Sequence, residues 1–149
     1  MATKKSDATQ GGDGWSAEER AAMKQRSQEV RKRKGKTTPE EDLAAAEAAI
    51  AEMDGVDHAV ASRIHALVLE HAPELAARTW YGFPAYAKDG KVVCFYQPGA
   101  KFKTRYGTLG FQDPAQLDDG PMWATAFAVI EVDAAVEKHI VELLRRAVG

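Results

Sequence analysis

The fold of this chain is decided by residues 79–86, Thr79-Trp80-Tyr81-Gly82-Phe83-Pro84-Ala85-Tyr86, where helical sequence stops and strand-like sequence begins. Gly82 and Pro84 interrupt four aromatic residues, a pattern that is poor for a helix interior and suits a tight turn into a sheet. Large rings beside a glycine form either a packed hydrophobic corner or the floor of a small pocket. Four side chains form this aromatic corner and are candidate ligand-binding residues: Trp80, Tyr81, Phe83 and Tyr86.

Upstream of the aromatic corner the sequence predicts helices. The first begins at a capping box on Ser16 and runs to Lys34. It has almost no apolar stripe, so we expect it either to stand off the body of the protein or to form only part of the time. The second begins at another capping box, on Thr38 with Pro39 in the first turn, and runs to about Asp54.

A third helix is predicted from His58 to about His71, with Asp57 as its N-cap. His58 and His65 share a face away from its apolar side, so we expect both to be surface histidines. One more helical turn, over residues 73–78, is expected to lead into the aromatic corner.

Beyond the corner the apolar period changes to two, which predicts strands. A hairpin is expected across residues 88–90, because Asp-Gly favours a two-residue turn. Residues 101–106 alternate cleanly and predict a strand with one cationic face. That face either holds an anionic ligand or acidic partner, or only keeps the sheet soluble. Its residues are Lys101, Lys103 and Arg105.

Residues 122–132 are apolar on both faces and predict a central strand, and Asp133 caps a C-terminal helix. The order of elements predicts a two-layer α+β domain. We expect an antiparallel four-to-five-stranded sheet covered by N-terminal and C-terminal helices. Residues 1–36 are predicted to be a flexible basic arm that can form one helix and is disordered through residue 14, and residues 37–149 to be the folded domain.

The charge is divided along the chain. Residues 1–40 carry ten Lys or Arg against six Asp or Glu, and residues 41–149 carry ten against sixteen. An acidic body does not suit nucleic acid, so we expect such contact only through the basic arm. The N-terminus has no apolar leader and no apolar run reaches the about 18 residues of a membrane span, so we expect a cytoplasmic protein without membrane contact.

Residues 38–57 contain seven acids and no Lys or Arg, and three of them, Glu40, Glu47 and Asp54, fall in one row that forms an acidic ridge along the predicted second helix. Neighbours in this row are about 10 Å apart along the axis, which is too far for two of them to chelate one ion. The ridge either attracts hard cations weakly or only complements the helix dipole. Together with a later loop, the candidate metal ligands are Glu40, Glu47, Asp54, Asp118 and Asp119.

The sequence contains no catalytic signature. No Ser or Cys lies in an active-site motif, and no His, Cys or acidic pair has the spacing of a metal site. The single cysteine, Cys94, lies in an apolar segment and is expected to be a buried, inert thiol. We therefore predict no catalytic residues and a protein that is not an enzyme.

The order of these features resembles a known family. Pro73-Glu74-Leu75 at a helix end, then the aromatic corner, a hairpin, an Asp-rich loop and an amphipathic C-terminal helix are similar to the YdhG-like bacterial domain of unknown function. The resemblance covers roughly residues 40–148 and implies a compact α+β fold without assigned catalytic residues. Some members of that family are described as frataxin-like intracellular iron chaperones, which implies iron held by surface carboxylates.

Two functions follow as hypotheses. The first is a small, non-enzymatic, iron-binding chaperone of frataxin type, with iron as its cofactor and an iron-acceptor protein as its partner. The second is a small-ligand or protein-interaction module that uses the aromatic corner and the cationic strand face.

Overall fold

The computed structural model describes residues 15–34 and 36–149. The predicted disorder of residues 1–14 therefore lies outside the described residues. Within these ranges the elements are α1 (Ala17–Lys34), α2 (Pro39–Ala51), α3 (Gly55–His71), β1 (Ala76–Trp80), β2 (Phe83–Lys88), β3 (Lys91–Gln97), a short 3₁₀ helix (Ala100–Phe102), β4 (Gly107–Phe111), β5 (Ala126–Val129) and α4 (Ala134–Val148).

The strands form one antiparallel sheet in chain order, from β1 to β5, and helices flank it. The predicted α+β class and the antiparallel sheet of four to five strands are therefore confirmed. The predicted hairpin is also confirmed, because Lys88 pairs with Lys91 across Asp89 and Gly90. These two turn residues have φ of 52° and 78°, as a two-residue hairpin turn requires.

The predicted helix caps are formed at three of the four helices. Thr38 and Glu41 close a reciprocal capping box at α2, and Asp133 accepts a hydrogen bond from the Val136 amide at α4. Ser16 accepts from the amide of Glu19 at α1, while the Glu19 carboxylate accepts from the Ser16 amide. These contacts join residues three apart, so the local sequence is sufficient to specify them.

The start of α3 differs from the prediction. The helix begins at Gly55, and Asp57 lies inside its first turn instead of capping it. The Asp57 carboxylate is buried and accepts hydrogen bonds from groups more than 35 residues away in the chain, so it is not available for a local cap. The acidic ridge is interrupted for the same reason, because α2 ends at Ala51 and Asp54 belongs to the N-terminus of α3.

The predicted helical turn over residues 73–78 is wrong. Residues Ala76–Trp80 form β1, whose whole length pairs with β2 from Ala76 opposite Ala87 to Trp80 opposite Phe83. The alanines favour a helix, but pairing with a neighbouring strand outweighs that weak local preference.

The predicted strand over residues 101–106 is also wrong. A 3₁₀ helix ends there at Phe102, and Lys103, the residue that caps its C-terminus, has φ of 56°. The Thr104 amide donates to the Gly99 carbonyl oxygen at 3.0 Å. The Thr104 hydroxyl also donates to the Tyr106 carbonyl oxygen at 2.9 Å. A side chain that bonds to its own loop backbone competes with a sheet ladder, so alternation alone misled the prediction.

The predicted central strand over residues 122–132 is wrong in position and extent. Only Ala126–Val129 pair, and they form the edge strand β5, which pairs with β4 alone. Met122 and Ile130 at the two ends of this segment are 84% and 68% exposed. An apolar sequence on both faces is therefore not enough to place a strand at the centre of a sheet.

One face of the sheet carries the main hydrophobic core, which it shares with α2, α3 and α4. Tyr96 and Leu109 pair across β3 and β4 and are buried there with Ile64, Leu67 and Leu144. None of the helices in the described ranges combines the length and the apolar character that crossing a membrane requires.

The opposite face of the sheet is covered by α1. Phe95 lies between Cys94 and Tyr96 in β3, so the pleat directs its ring away from the main core. The ring lies over Gly110 of β4, where any Cβ would collide with it. Ala22 of α1 is only 3% exposed. The expectation that α1 stands off the body is therefore wrong, because polar contacts, which an apolar pattern does not report, attach this helix.

Candidate functional site

A cluster of rings occupies the sheet face beneath α1. Trp80 is central, with ring centroids 4.8 Å from Tyr81, 6.0 Å from Phe83 and 5.3 Å from Phe95. Phe102 from the 3₁₀ helix extends the cluster, with its ring 6.1 Å from that of Phe83. These separations are typical of edge-to-face and tilted aromatic packing. Five rings from three strands and two loops therefore form one continuous apolar surface.

A groove of about 540 Å³ lies between this surface and α1. We call it the aromatic groove. Its floor is the ring cluster, and its roof is Ala22 and Met23 of α1 with Trp15 just before the helix. The polar residues of its lining are Glu19, Arg26 and Ser27 of α1 together with Gln97 and Gln112. An apolar cavity with a few polar groups at its edge is the usual composition of a small-molecule site.

The aromatic corner of the sequence is divided between the two faces of the sheet. Trp80, Tyr81 and Phe83 line the aromatic groove, whereas Tyr86 is 1% exposed and belongs to the main core. Sequence reasoning missed Phe95 and Phe102 as groove residues. Strand alternation in β3 is a usable signal for Phe95, but no local signal marks Phe102, because its loop was mistaken for a strand.

Tyr86 takes part in a buried polar chain. Its hydroxyl lies 2.8 Å from Nδ1 of His65, and Nε2 of the same ring lies 3.1 Å from the Glu47 carboxylate. Because a carboxylate accepts hydrogen bonds, Nε2–H donates to Glu47 and the Tyr86 hydroxyl donates to Nδ1. Burial raises the pKa of Tyr86. The prediction that His65 lies on the surface is wrong, since it is only 8% exposed and its Nδ1 accepts a hydrogen bond from the Tyr86 hydroxyl.

The carboxylate of Glu29 in α1 binds the turn between β1 and β2. Its Oε1 accepts from the Tyr81 amide and its Oε2 accepts from the Gly82 amide, both at 3.0 Å. Tyr81 and Gly82 have φ of 54° and 83°, a two-residue turn in which both N–H groups reach the same carboxylate. The Arg26 guanidinium lies 5.8 Å from the centre of the Tyr81 ring. The helix is thus attached at the edge of the aromatic groove.

The three residues of the predicted cationic face do not share a face. Lys101 Nζ donates to the Tyr81 carbonyl oxygen at 3.2 Å and also contacts the Gln25 side chain. Lys103 forms an ion pair with Glu18 of α1 at 2.9 Å, and Arg105 lies over the Tyr106 ring at 5.1 Å. The predicted cationic strand face is therefore wrong, because a 3₁₀ turn directs these side chains apart.

Two of these contacts change proton affinities. Burial lowers the pKa of Lys101, and the nearby carboxylates of Glu29 and Glu52 oppose that change. The hydrogen bond from Lys103 lowers the pKa of Glu18. Lys101 is therefore a partly desolvated cation over the turn between β1 and β2, whereas the Lys103 side chain is 76% exposed. Arg26 is a cation that lines the aromatic groove itself.

The candidate metal ligands lie in separate places. Glu40 is exposed on α2, Glu47 is engaged by His65, and Asp54 precedes α3, while Asp118 and Asp119 are exposed in the loop between β4 and β5. Among the described residues, no group of three or more His, Cys, Asp or Glu side chains is placed to hold one metal ion. Iron binding stays a prediction that rests on the family resemblance.

Comparison of the chain with models of protein families, with curated proteins and with solved structures finds no match in any of the three. The resemblance to the YdhG-like family therefore stays a prediction as well.

Proposed function

We propose that this protein is a non-enzymatic binding domain that takes a small, flat, largely apolar molecule into the aromatic groove. The observation that carries this proposal is the cluster of five rings on a sheet face that the main core does not use. The groove volume of about 540 Å³ falls within the about 300–1,000 Å³ of common ligand sites.

The chemistry of the lining favours a planar ligand. Tyr81 and Phe102 are half-buried, so their ring edges and faces remain accessible from the groove. Stacking and edge contacts stabilise a bound aromatic molecule beyond the burial of its area. Gln97 and Gln112 can each donate and accept a hydrogen bond, which orients a polar substituent of the ligand.

Iron transport has less physical support in this fold. Its proposed ligands are exposed carboxylates on different elements, and Glu47 already accepts a hydrogen bond from His65. A binding site for hard cations needs several converging oxygens. The aromatic groove, in contrast, already brings its groups together.

The experiment is an amide NMR titration of the full chain with three neutral probes: indole, quinoline and naphthalene-2-carboxamide. We expect shifts at residues around Trp80, Phe95 and Phe102. Trp80→Leu should weaken binding about tenfold, because it removes the central stacking ring. Trp123→Leu is the matched control, since Trp123 is 40% exposed and lies outside the groove. Absence of shifts with all three probes, or equal weakening by both variants, would contradict the proposal.

A further inference from the structure

The turn at residues 81–82 is a carboxylate receptor that already holds a carboxylate. Two consecutive backbone N–H groups donate to the two oxygens of Glu29, at 3.0 Å each. The Glu29 side chain is only 12% exposed, so this carboxylate is largely removed from water. Successive amides that point into one concave turn are a common device for binding anions. The bidentate geometry makes this a specific contact and not a loose surface attraction.

A cation that does not belong to α1, Lys101, lies beside the two amide groups of the turn. Lys101 Nζ donates to the Tyr81 carbonyl oxygen, and a Cβ placed on Gly82 would collide with this ammonium group and with Gln25. Lys101 therefore lies directly over the turn. Burial lowers the pKa of Lys101, whereas attraction to the Glu29 carboxylate raises it. The two charges therefore interact. Neither the amide pair nor Lys101 belongs to α1, and Lys101 is also bound to the turn through the Tyr81 carbonyl oxygen.

The helix that supplies Glu29 is held mainly by polar contacts. Among the described side chains of α1, Ala22 is the buried one, and Met23 and Val30 are 42% and 38% exposed. Other attachments include Lys103 with Glu18, Lys101 with Gln25 and the Arg26 guanidinium over the Tyr81 ring. Exposed ion pairs contribute little to stability. A ligand that supplies its own carboxylate therefore replaces the main contact that holds α1 at this end.

Tyr81 joins the receptor to the aromatic groove. Its ring lines the groove, and its amide N–H binds the carboxylate. A flat molecule that lies against this ring can extend an acid group to the turn.

Building on the proposed function, we propose that the ligand of the aromatic groove is an aromatic carboxylate, whose acid group displaces Glu29 from the Tyr81 and Gly82 amides and is neutralised by Lys101. Glu29 is thus an internal competitor that occupies the acid-binding end of the site. The ring system of the ligand lies on the groove floor. The Glu29 side chain of α1 moves away from the turn, and the acid group of the ligand takes its place.

The experiment compares two probes of the same shape, naphthalene-2-carboxylate and naphthalene-2-carboxamide, on three forms of the full chain. Glu29→Gln removes the competing charge. Glu40→Gln is the matched control, because it removes the same charge from an exposed position on α2 outside the groove. We expect the preference for carboxylate over carboxamide to rise about tenfold in Glu29→Gln and to stay unchanged in Glu40→Gln. Because Tyr81 also lines the groove, both probes should shift its amide resonance, whereas the Gly82 amide resonance should shift more with the carboxylate than with the carboxamide.

The outcomes separate the two proposals. If the carboxamide binds in the groove but the preference for the carboxylate is the same in all three proteins, the carboxylate receptor is wrong and the aromatic groove stands. If neither probe binds any form of the protein, the proposed binding in the aromatic groove is wrong, and so is the proposed carboxylate receptor that depends on it. Lys101→Gln gives a second test, which keeps Glu29 but removes the ammonium group that contacts Gln25 and the Tyr81 carbonyl oxygen. It should lower the carboxylate preference without altering carboxamide affinity. An unchanged preference in Lys101→Gln would overturn the role of the cation.

Discussion

At the scale of single residues, Asp57 connects three parts of the chain. Its Oδ1 accepts from the Tyr96 hydroxyl at 2.7 Å and the Gly99 amide at 2.8 Å, and its Oδ2 accepts from the Ala100 amide at 2.9 Å. The carboxylate is only 7% exposed. Burial and donation to Asp57 both raise the pKa of Tyr96, burial more strongly. Asp57 therefore fixes the 3₁₀ helix that carries Lys101 and Phe102 to the aromatic groove.

Asp57→Asn should destabilise the fold. The new amide group presents donors where backbone N–H groups also donate, so at least one buried hydrogen bond is lost. We expect the free energy of unfolding to fall by about 2–3 kcal/mol, measured by urea denaturation. Asp54→Asn is the control, because Asp54 is exposed and makes no side-chain cap hydrogen bond. It should change stability by less than about 0.5 kcal/mol. Equal losses in the two variants would rule out a special role for Asp57.

We predict that the Cys94 thiol is inert in the native protein and that it makes the free energy of unfolding depend on pH in the alkaline range. Burial raises the pKa of its thiol to about 12 from the ordinary value of 9.0. Between these values the unfolded chain loses this proton and the folded chain keeps it. The contribution of the protonated Cys94 thiol to the free energy of unfolding is therefore complete below pH 9.0, and it is lost as the pH rises toward about 12.

The measurement for Cys94 has two parts. A thiol reagent at pH 8 should react with the native protein only at the rate of opening, and at once after unfolding in urea. The free energy of unfolding should also fall less steeply above pH 9.0 in Cys94→Ala than in the parent chain. Immediate reaction of the native protein, or identical pH profiles, would show that Cys94 is accessible.

At the scale of elements, α1 behaves as a cover and the other helices as parts of the core. Within the described ranges, the main cluster of buried apolar residues draws on α2, α3 and α4 and contains no residue of α1. The μs-to-ms opening of weakly attached elements is common where few apolar contacts hold them. The elements of this fold therefore differ in how much they contribute to global stability.

A chain that begins at Thr37 should still fold. We expect cooperative thermal unfolding by circular dichroism with α2 to α4 and the sheet intact, since the main core is unchanged. The exposed ring cluster should bind the dye 8-anilinonaphthalene-1-sulfonate more strongly and should shift Trp80 emission to longer wavelength. Loss of cooperative unfolding would contradict the view that α1 is a cover and would make it part of the folding unit.

At the scale of the whole molecule, the sheet separates two regions with different chemistry. One face buries the aliphatic core with Tyr86, Tyr96 and the polar chain of His65, and the other face carries the rings of the aromatic groove. The ridge residues Glu40, Glu47 and Asp54 lie on exposed positions of α2 and at the start of α3, and Glu47 alone among them is joined to the core, through His65. Their separation limits what they can bind together.

Anaerobic titration with Fe(II), with Mg²⁺ as a control, tests the predicted iron function. Because the described carboxylates do not converge, we expect weak paramagnetic broadening spread over exposed acids, without saturation at one equivalent. Reversing the charge of Glu40 and Glu47 should change this broadening only near those residues. Saturable, selective broadening over residues 40–57 or 113–119 that charge reversal abolishes would establish iron binding instead.

The candidate site was only partly predictable. Residues 79–86 correctly marked Trp80, Tyr81 and Phe83 as neighbours, because these rings are close in the chain and on one side of a tight turn. Phe95 and Phe102 join them through strand pairing and through the hydrogen bonds of Asp57, which act between residues far apart in sequence. The same long-range contacts placed Tyr86 and His65 in the core, where the local pattern suggested a ligand residue and a surface residue.

By itself, the sequence determined the features that depend on interactions over three or four residues: the capping boxes at Ser16 and Thr38, the cap at Asp133, the Asp89-Gly90 hairpin and hence the α+β class. Only the tertiary structure decided that residues 76–80 form a strand, that residues 101–106 do not, and that α1 lies on the sheet with Glu29 on the turn. The reason is the range of the forces involved. A cap or a turn is complete within its own segment, whereas a strand, a groove and a docked helix exist only when distant partners satisfy their hydrogen bonds and cover their apolar surface.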